Sequence, residues 1–421
     1  MIQLRPHLMN GARQAGDLTR SLGISRVTLM HAYERESTSI LKFGRARRSS
    51  YAARKTYTGL DTDSFPVFRV DESGDLHRAG ELVTLEAAES IWLPDDTIID
   101  GLPPAMHDMA PQGFLGRSFT RQHVDLALPN DFAGWSDRHV LLALSRRGED
   151  LAGNLLMGRE SFDRWQNLHH AVHTAEDFQQ LAEAALAGEH AGSSAGGDQP
   201  KFTAYVSGKH RIVKFATEAS DNARRWQDLL LLEHHALLTL RDAGIAVANT
   251  DIVELPGLRC LMVDRFDRVG LRGRRAVMSL AAAGQGIGQG IDQGSAGSWT
   301  DTAEKMHRRG ELSGSCLRRL ALLEAYGALI ANNDRHHHNV LLYPSAHGYE
   351  LAPAFDQLPM AYAPPASGNL INVTIAPPRA SVNTLEVWDE AHRLANEFWR
   401  RATTLKLSRP MAEIAREHAR R

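Results

Sequence analysis

Cysteine is nearly absent: Cys260 and Cys316 stand alone in a chain of 421 residues, with no C-x-x-C pair. That excludes a disulfide framework and a thiolate zinc site, and it fits a reducing compartment. An excess of charge of one sign is missing too. The 48 Lys and Arg against 50 Asp and Glu leave −2, so attraction to nucleic acid has to come from a local patch. No apolar run reaches the ~18 residues of a membrane-spanning helix. The stretch "MIQLRPHLMN" lacks the apolar centre of a signal peptide, so a cytoplasmic protein is the expectation. No internal repeat is visible. What remains is an ordinary globular composition, 43% hydrophobic and 23% charged, long enough for roughly two or three domains.

The first sixty residues have their own character. "DLTRSLGISRVTLMHAY" (17–33) sets Leu18, Leu22, Ile24, Val27 and Leu29 in a helical pattern broken by Gly23, with Ser25 as the next N-cap. Helix, glycine turn and Ser-capped helix spell a helix-turn-helix whose second helix, starting at Ser25, Arg26 and Thr28, is free to enter a major groove. "ILKFGRARRSSYAARKTY" (40–57) then carries six basic residues and no acidic one. Ile40–Phe43 and Tyr51–Ala53 around Gly44 suggest a hairpin wing, with Arg45, Arg47 and Arg48 placed to lie along phosphates. The competing reading is a solvated helical hairpin with a charged loop.

From 61 to 150 short apolar runs alternate with turns such as "DESGD" (71–75), which suggests a small mixed α/β unit; "LPPAMHDMAPQGFLGR" (102–117) reads as loop. A Gly/Ser/Ala-rich segment (188–198) precedes two strand-like runs, "KFTAYV" and "RIVKFA". Helical pattern fills 223–242, 317–331 and 385–407. "AAAGQGIGQGIDQGSAGS" (281–298) reads as a surface loop that packs no core. The resulting division is 1–60, 61–150 and 151–421, the last split near 270.

"GSSAGGDQPKF" (192–202) puts glycines and serines just before a strand, where backbone N–H groups can approach a phosphate, although a plain linker reads the same. The G-K-[ST] ending of a Walker A loop is missing. In "RIVKFA", Val213 and Phe215 share one face of the strand and Lys214 projects from the other with Ile212 and Ala216. Lys214 is either an edge lysine that snorkels or a buried cation set for an anionic ligand. Glu233 follows four leucines on the next helix, and a strand lysine paired with a helix glutamate is how protein kinases hold nucleotide phosphates.

"LIANNDRHHHNVLLY" (329–343) drops polar residues between two apolar runs and contains Asp334, His336 and Asn339; Asp356 follows in "LAPAFDQLP". Phosphoryl transfer to a hydroxyl needs an Asp to take the proton, an Asn five residues on, and a later Asp for Mg²⁺, and these residues stand in that order. Consecutive histidines point in different directions and do not readily converge on one ion, and Mg²⁺ prefers oxygen. A His/Asn-rich surface loop is the bland alternative.

Together "SSAGGDQPKF", "RIVKFA", the Glu233 helix ending in "RDAGIAV", "LMVDRFDR", "NNDRHHHNVLL" and "LAPAFDQL" resemble, over about 190–360, the HipA family of serine/threonine kinases, toxins of type II toxin–antitoxin systems. "DMAPQGFLGR" looks like that family's N-terminal subdomain, and the leading helix-turn-helix looks like its HipH (YjjJ) type. The resemblance implies an α+β, two-lobed, protein-kinase-like fold with ATP in the cleft and a winged helix-turn-helix in front. It implies that Lys214 contacts ATP phosphates, that Lys201 belongs to the Gly-rich loop, and that Asp264 and Phe266 in "VDRFD" lie at the hinge beside adenine. Asp334 would be the catalytic Asp, His336 a residue near the nucleotide, and Asn339 and Asp356 the Mg²⁺ ligands. Ser193 or Ser194 would be autophosphorylated, expelling the loop. Relatives phosphorylate aminoacyl-tRNA synthetases, and an antitoxin partner is part of such systems; a homodimer follows from the two-fold sites that helix-turn-helix proteins read. Two other classes stay open: a DNA-binding regulator with a non-catalytic kinase-like ligand domain, and a metal-dependent DNase built on the Asp/His/Asn cluster.

Overall fold

A computed structural model describes residues 2–93, 95–187, 199–285, 297–365 and 375–421. Ser193 and Ser194 lie outside the described residues, as does the side chain of Arg47. The chain is mixed α+β and divides into two compact units. One comprises Met1–Asp71, Asp75–Ala110 and Val124–Leu168; the other comprises Glu72–Gly74, Pro111–His123 and His169–Arg421.

In the first unit, strand β1 (Arg13–Gln14) leads into helices α1 (Ala15–Leu22) and α2 (Arg26–Glu36). Gly23 ends α1 in the left-handed region at φ +62°, and the Ser25 hydroxyl accepts the Thr28 N–H at 3.1 Å to start α2. Strands β2 (Ile40–Phe43) and β3 (Ser50–Ala53) pair antiparallel with Ile40 opposite Ala53, and β1 adds to β3. Gly44 turns toward the return strand at φ +74°, where a Cβ would meet the Arg48 carbonyl oxygen at 2.5 Å, so glycine is required there. Leu8, Leu18, Leu29, Ala32, Ile40 and Tyr51 form the core of this part. Val27, expected in that pattern, is 66% exposed. The buried stripe of α2 runs through Leu29 and Ala32, and Val27 projects from another side of the helix.

Strands β4 (Ser64–Val70), β5 (Leu76–Leu85), β6 (Glu89–Leu93), β7 (Thr97–Asp100) and β8 (Leu155–Met157) form an antiparallel sheet in the order β7-β6-β5-β4-β8. Helices α3 (Pro104–Met109), α4 (Asp137–Arg147) and α5 (Arg159–Gln166) belong to this unit, and Val140, Leu141 and Leu144 of α4 share a core with Phe65, Val67 and Leu82 of the sheet. The loop expected over 102–117 is replaced by α3 and by the start of a helix over Gly113–Gln122. Prolines there look like breakers, but Pro104 occupies the first helical turn, where its missing N–H costs nothing, and Met106 and Met109 are buried.

The second unit opens with β9 (Val172–His173) and α6 (Phe178–Leu186), followed by the hairpin β10 (Lys201–Val206) and β11 (Lys209–Thr217). Ser207 and Gly208 join the hairpin with positive φ at both positions, matching the twist of the flanking strands. Helix α7 (Asp221–Asp242) crosses over to β12 (Thr250–Leu255) and β13 (Leu258–Asp264), giving the order β12-β13-β11-β10-β9. A helical region follows, with α8 (Trp299–Arg308), α9 (Gly314–Leu329), α10 (Trp388–Ala402) and α11 (Arg409–Ala419), and with the hairpin β14 (Leu341–Ser345) and β15 (Gly348–Leu351) between α9 and α10. Its core joins Trp299, Leu320, Leu323, Tyr326, Phe398 and Trp399. The glycine-rich stretch read as packing no core begins inside it: Ala282 and Ala283 are buried in the short helix Leu280–Ala283, while 286–296 lie outside the described residues.

Candidate active site

Lys214 lies on β11, which has β13 on one side and β10 on the other, so the edge-lysine reading is overturned. Strand alternation sends Val213 and Phe215 into the apolar core with Phe178 and Phe202, and puts Lys214 on the opposite face at 8% exposure. Helix α7 packs along that face and brings Glu233, 1% exposed, up to it. The Lys214 ammonium donates to both Glu233 carboxylate oxygens, at 2.7 and 2.9 Å, and also bonds Asp356 Oδ1. Lys214 therefore bonds both carboxylates. Burial lifts Glu233 to about 7 against the pull of Lys214. Asp356 is also penalised by burial, but Lys214 and then Lys201 draw it down to about 2. Burial alone would lower Lys214; Asp356 and Glu233 outweigh it and raise the lysine above its ordinary value. The pair of acids thus shares its protons unequally, with Asp356 firmly ionised.

The second half of the site is the loop after α9. Ala331 leaves the helix at φ +62°, and the loop runs to a 3₁₀ turn, His337–Asn339, that feeds β14. Asp334 presents a carboxylate that is 50% exposed. Asn339 Nδ2 donates to the Asp334 carbonyl at 2.7 Å, a bond that does not use Asn339 Oδ1. His336 Nε2 lies 3.8 Å from Asp334 Oδ1. Of the neighbouring histidines, buried His337 shares a hydrogen bond with Thr302 at 2.8 Å, and burial lowers its pKa. Among the described residues, no group of three His, Cys, Asp or Glu side chains is placed to hold a metal ion. The His336 and His338 rings meet edge to face with centroids 6.0 Å apart, while His337 turns to Thr302.

Of the residues expected around a nucleotide, Lys201 and Asp264 fall on the same sheet and Phe266 in the turn that follows it. Lys201 is the cross-strand neighbour of Lys214. The Asp264 carboxylate is taken up by Lys209 at 2.7 Å and Asn249 at 3.2 Å, with Arg211 Nε 3.0 Å away. Phe266 stands 5.8 Å from Phe355 and 6.3 Å from Tyr343 by ring centroids, beside Ala216, Ala248 and Val263. Tyr343 and Phe355 escaped the reading of the sequence; Phe355 directly precedes Asp356, which was the available signal. Asn332 escaped it as well. It is 1% exposed and ties the two acidic segments together: its Oδ1 accepts the Asp334 N–H at 3.0 Å and its Nδ2 donates to the Asp356 carbonyl at 3.2 Å.

The donor set fits Mg²⁺. Asp356 is ionised, 26% exposed and bonded to Lys214 through one oxygen, and Asn339 keeps its amide oxygen. Hard oxygen donors of this kind suit that ion.

Comparison with known proteins agrees with the architecture. Residues 61–166 match the model of the YjjJ-like toxin middle domain, and residues 193–421 match the HipA-like C-terminal domain. The chain is 34% identical over 434 residues to Toxin YjjJ of Escherichia coli strain K12, covering 99% of this chain and 96% of that one. Among solved structures, a chain of the Shewanella oneidensis MR-1 HipA, HipB and operator DNA complex has a similar fold, with a TM-score of 0.51 at 16% identity, covering 85% of this chain and 95% of that one. The Helicobacter pylori proinflammatory kinase CtkA gives a TM-score of 0.36 at 12% identity, covering 52% of this chain and 88% of that one. By the two matched domains and the full-length relative, the chain belongs to the HipA-like toxins, in their YjjJ-like branch.

Proposed function

We propose that this chain is an ATP- and Mg²⁺-dependent serine/threonine protein kinase of toxin type, working in the cytoplasm. The observation that carries the reading is the meeting of Lys214, Glu233 and Asp356, which join a strand, a helix and a loop far apart in sequence. Lys214, held by Glu233, is the cation for nucleotide phosphates; Phe266, with Tyr343 and Phe355 around it, offers aromatic surface suited to a base. Asp334, half exposed and with the His336 imidazole 3.8 Å away, takes the proton of the acceptor hydroxyl. Asn339 and Asp356 would hold Mg²⁺, which when bound would supply charge neutralisation for phosphoryl transfer. The acceptor is a protein hydroxyl; an aminoacyl-tRNA synthetase is the class proposed by likeness to relatives, and Ser193 or Ser194 is proposed as the self-modified residue.

The head is proposed as a winged helix-turn-helix. Helix α2 leaves Arg26, Val27, Thr28 and Met30 exposed for base edges, and Arg45 and Arg48 are exposed on the wing for phosphates. The HipA structure matched above was solved with HipB and operator DNA, which supports proposing DNA, and an antitoxin or a second copy of this chain, as partners. The catalytic reading is tested by incubating purified protein with γ-labelled ATP and Mg²⁺. Wild type should label itself or an added extract and Asp334→Ala should not; equal labelling by both proteins would overturn the assignment.

A further inference from the structure

Asp334 and Asp356 come from separate loops, and two carboxylates that act on one phosphoryl group have to keep a set spacing. Asn332 is the side chain that spans them. Both ends of its amide are used on main-chain atoms, the Asp334 N–H at 3.0 Å and the Asp356 carbonyl at 3.2 Å. The side chain has no freedom to supply that link from elsewhere: the Asn332 N–H donates to the Gly327 carbonyl at 2.8 Å, and the Arg335 guanidinium donates to the Asn332 carbonyl. Asn333, next in sequence, is exposed.

We infer that Asn332 is a positioning residue for phosphoryl transfer, fixing the Asp334 backbone against that of Asp356 through its two amide hydrogen bonds. The inference rests on the kinase reading above. Asn332 is 1% exposed with its amide turned to main chain, so its effect falls on the rate of the chemical step and not on nucleotide affinity. A displacement of about 1 Å in a reacting group costs on the order of 10²-fold in rate, and a buried amide bonded at both ends is the kind of tie that prevents one.

The test compares wild type, Asn332→Ala, Asn332→Asp and, as a surface control, Asn333→Ala. Three quantities are read on the full-length protein: kcat and KM for ATP, affinity for a fluorescent ATP analogue with Mg²⁺, and amide hydrogen exchange at Asp334. Asn332→Ala should lower kcat by about 10²-fold with KM and analogue affinity within about threefold of wild type, and should lose protection at the Asp334 amide. Because alanine also removes two buried bonds, the near-isosteric Asn332→Asp is read beside it. It keeps an acceptor for the Asp334 N–H but cannot donate to the Asp356 carbonyl, so protection should persist while kcat still falls. Unchanged kcat in both variants, or a change confined to KM, overturns the inference. A wild-type protein that transfers no phosphate would sink the kinase reading, not the tie, which exchange at Asp334 then decides alone: protection lost in Asn332→Ala supports it, and protection kept overturns it.

Discussion

At the scale of single residues, the arrangement around Lys214 makes stability depend on pH through one carboxylate. Glu233 is 1% exposed and shares its cation with Asp356, so its pKa in the folded chain, about 7, lies above its ordinary value of 4.5. A group with a raised folded pKa contributes stability that is fully present below the unfolded value and is lost as pH rises through the folded one. The window is therefore about 4.5 to 7. Asp356, shifted from 3.8 to about 2, acts in the opposite sense and only below that window. Urea unfolding of wild type and Glu233→Gln at pH 4.5, 6 and 8 should show wild type losing its advantage as pH rises. An advantage that grows with pH would mean that Asp356 carries the raised pKa instead.

At the scale of elements, helix α11 adds a histidine contact to the burial of Met411 and Ala415. His418 stacks on Trp399 with centroids 4.1 Å apart and planes within 9°, and its Nε2 is paired with the Tyr362 hydroxyl at 2.6 Å. Tyr362 also gives its carbonyl to Arg225 at 3.1 Å, so α11 braces the segment that follows Asp356. Burial, with Arg421 assisting, lowers His418 to about 4. Here the folded pKa is depressed, so the contribution is present above about 6.5 and is lost as pH falls toward 4. Thermal midpoints of wild type and His418→Gln should converge between pH 6.5 and 4.5, the reverse of the Glu233 trend over part of the same range. Midpoints that run parallel would show that the imidazole titrates in the fold as it does in the unfolded chain.

At the scale of the whole molecule, the DNA-binding proposal concerns a head that is part of a larger unit. Leu41 and Ala52, on the second face of the β2–β3 hairpin, pack with Val83, Leu85 and Ile91 of β5 and β6. Arg54 pairs with Asp63 at 2.8 Å and Arg5 with Glu86 at 2.7 Å. Residues 1–60 thus share a core with the β4–β8 sheet. With net charge near zero, DNA affinity has to be local and salt-sensitive. Arg45→Ala and Arg48→Ala should each weaken binding to unrelated duplexes alike and reduce the slope of log affinity against log salt by about 1. A change confined to one duplex sequence would move those side chains from phosphates to bases.

What the sequence alone determined is what short-range chemistry encodes. Alternation in "RIVKFA" separates Lys214 from Val213 and Phe215, helical spacing places Glu233 on α7, a five-residue interval links Asp334 to Asn339, and Gly23 with Ser25 writes a turn between two helices. Each depends on a backbone period or a cap that acts over a few residues. The tertiary structure decided what depends on neighbours distant in the chain. It set β11 inside a sheet and not at its edge, made helix of 104–109 through burial of Met106 and Met109, and turned Val27 outward. It also brought Asp356 to Lys214 across 142 positions and gave Asn332 both of its partners. Long-range contacts follow from register and loop closure, whose cost is met by the whole core, so no local stretch of sequence displays them.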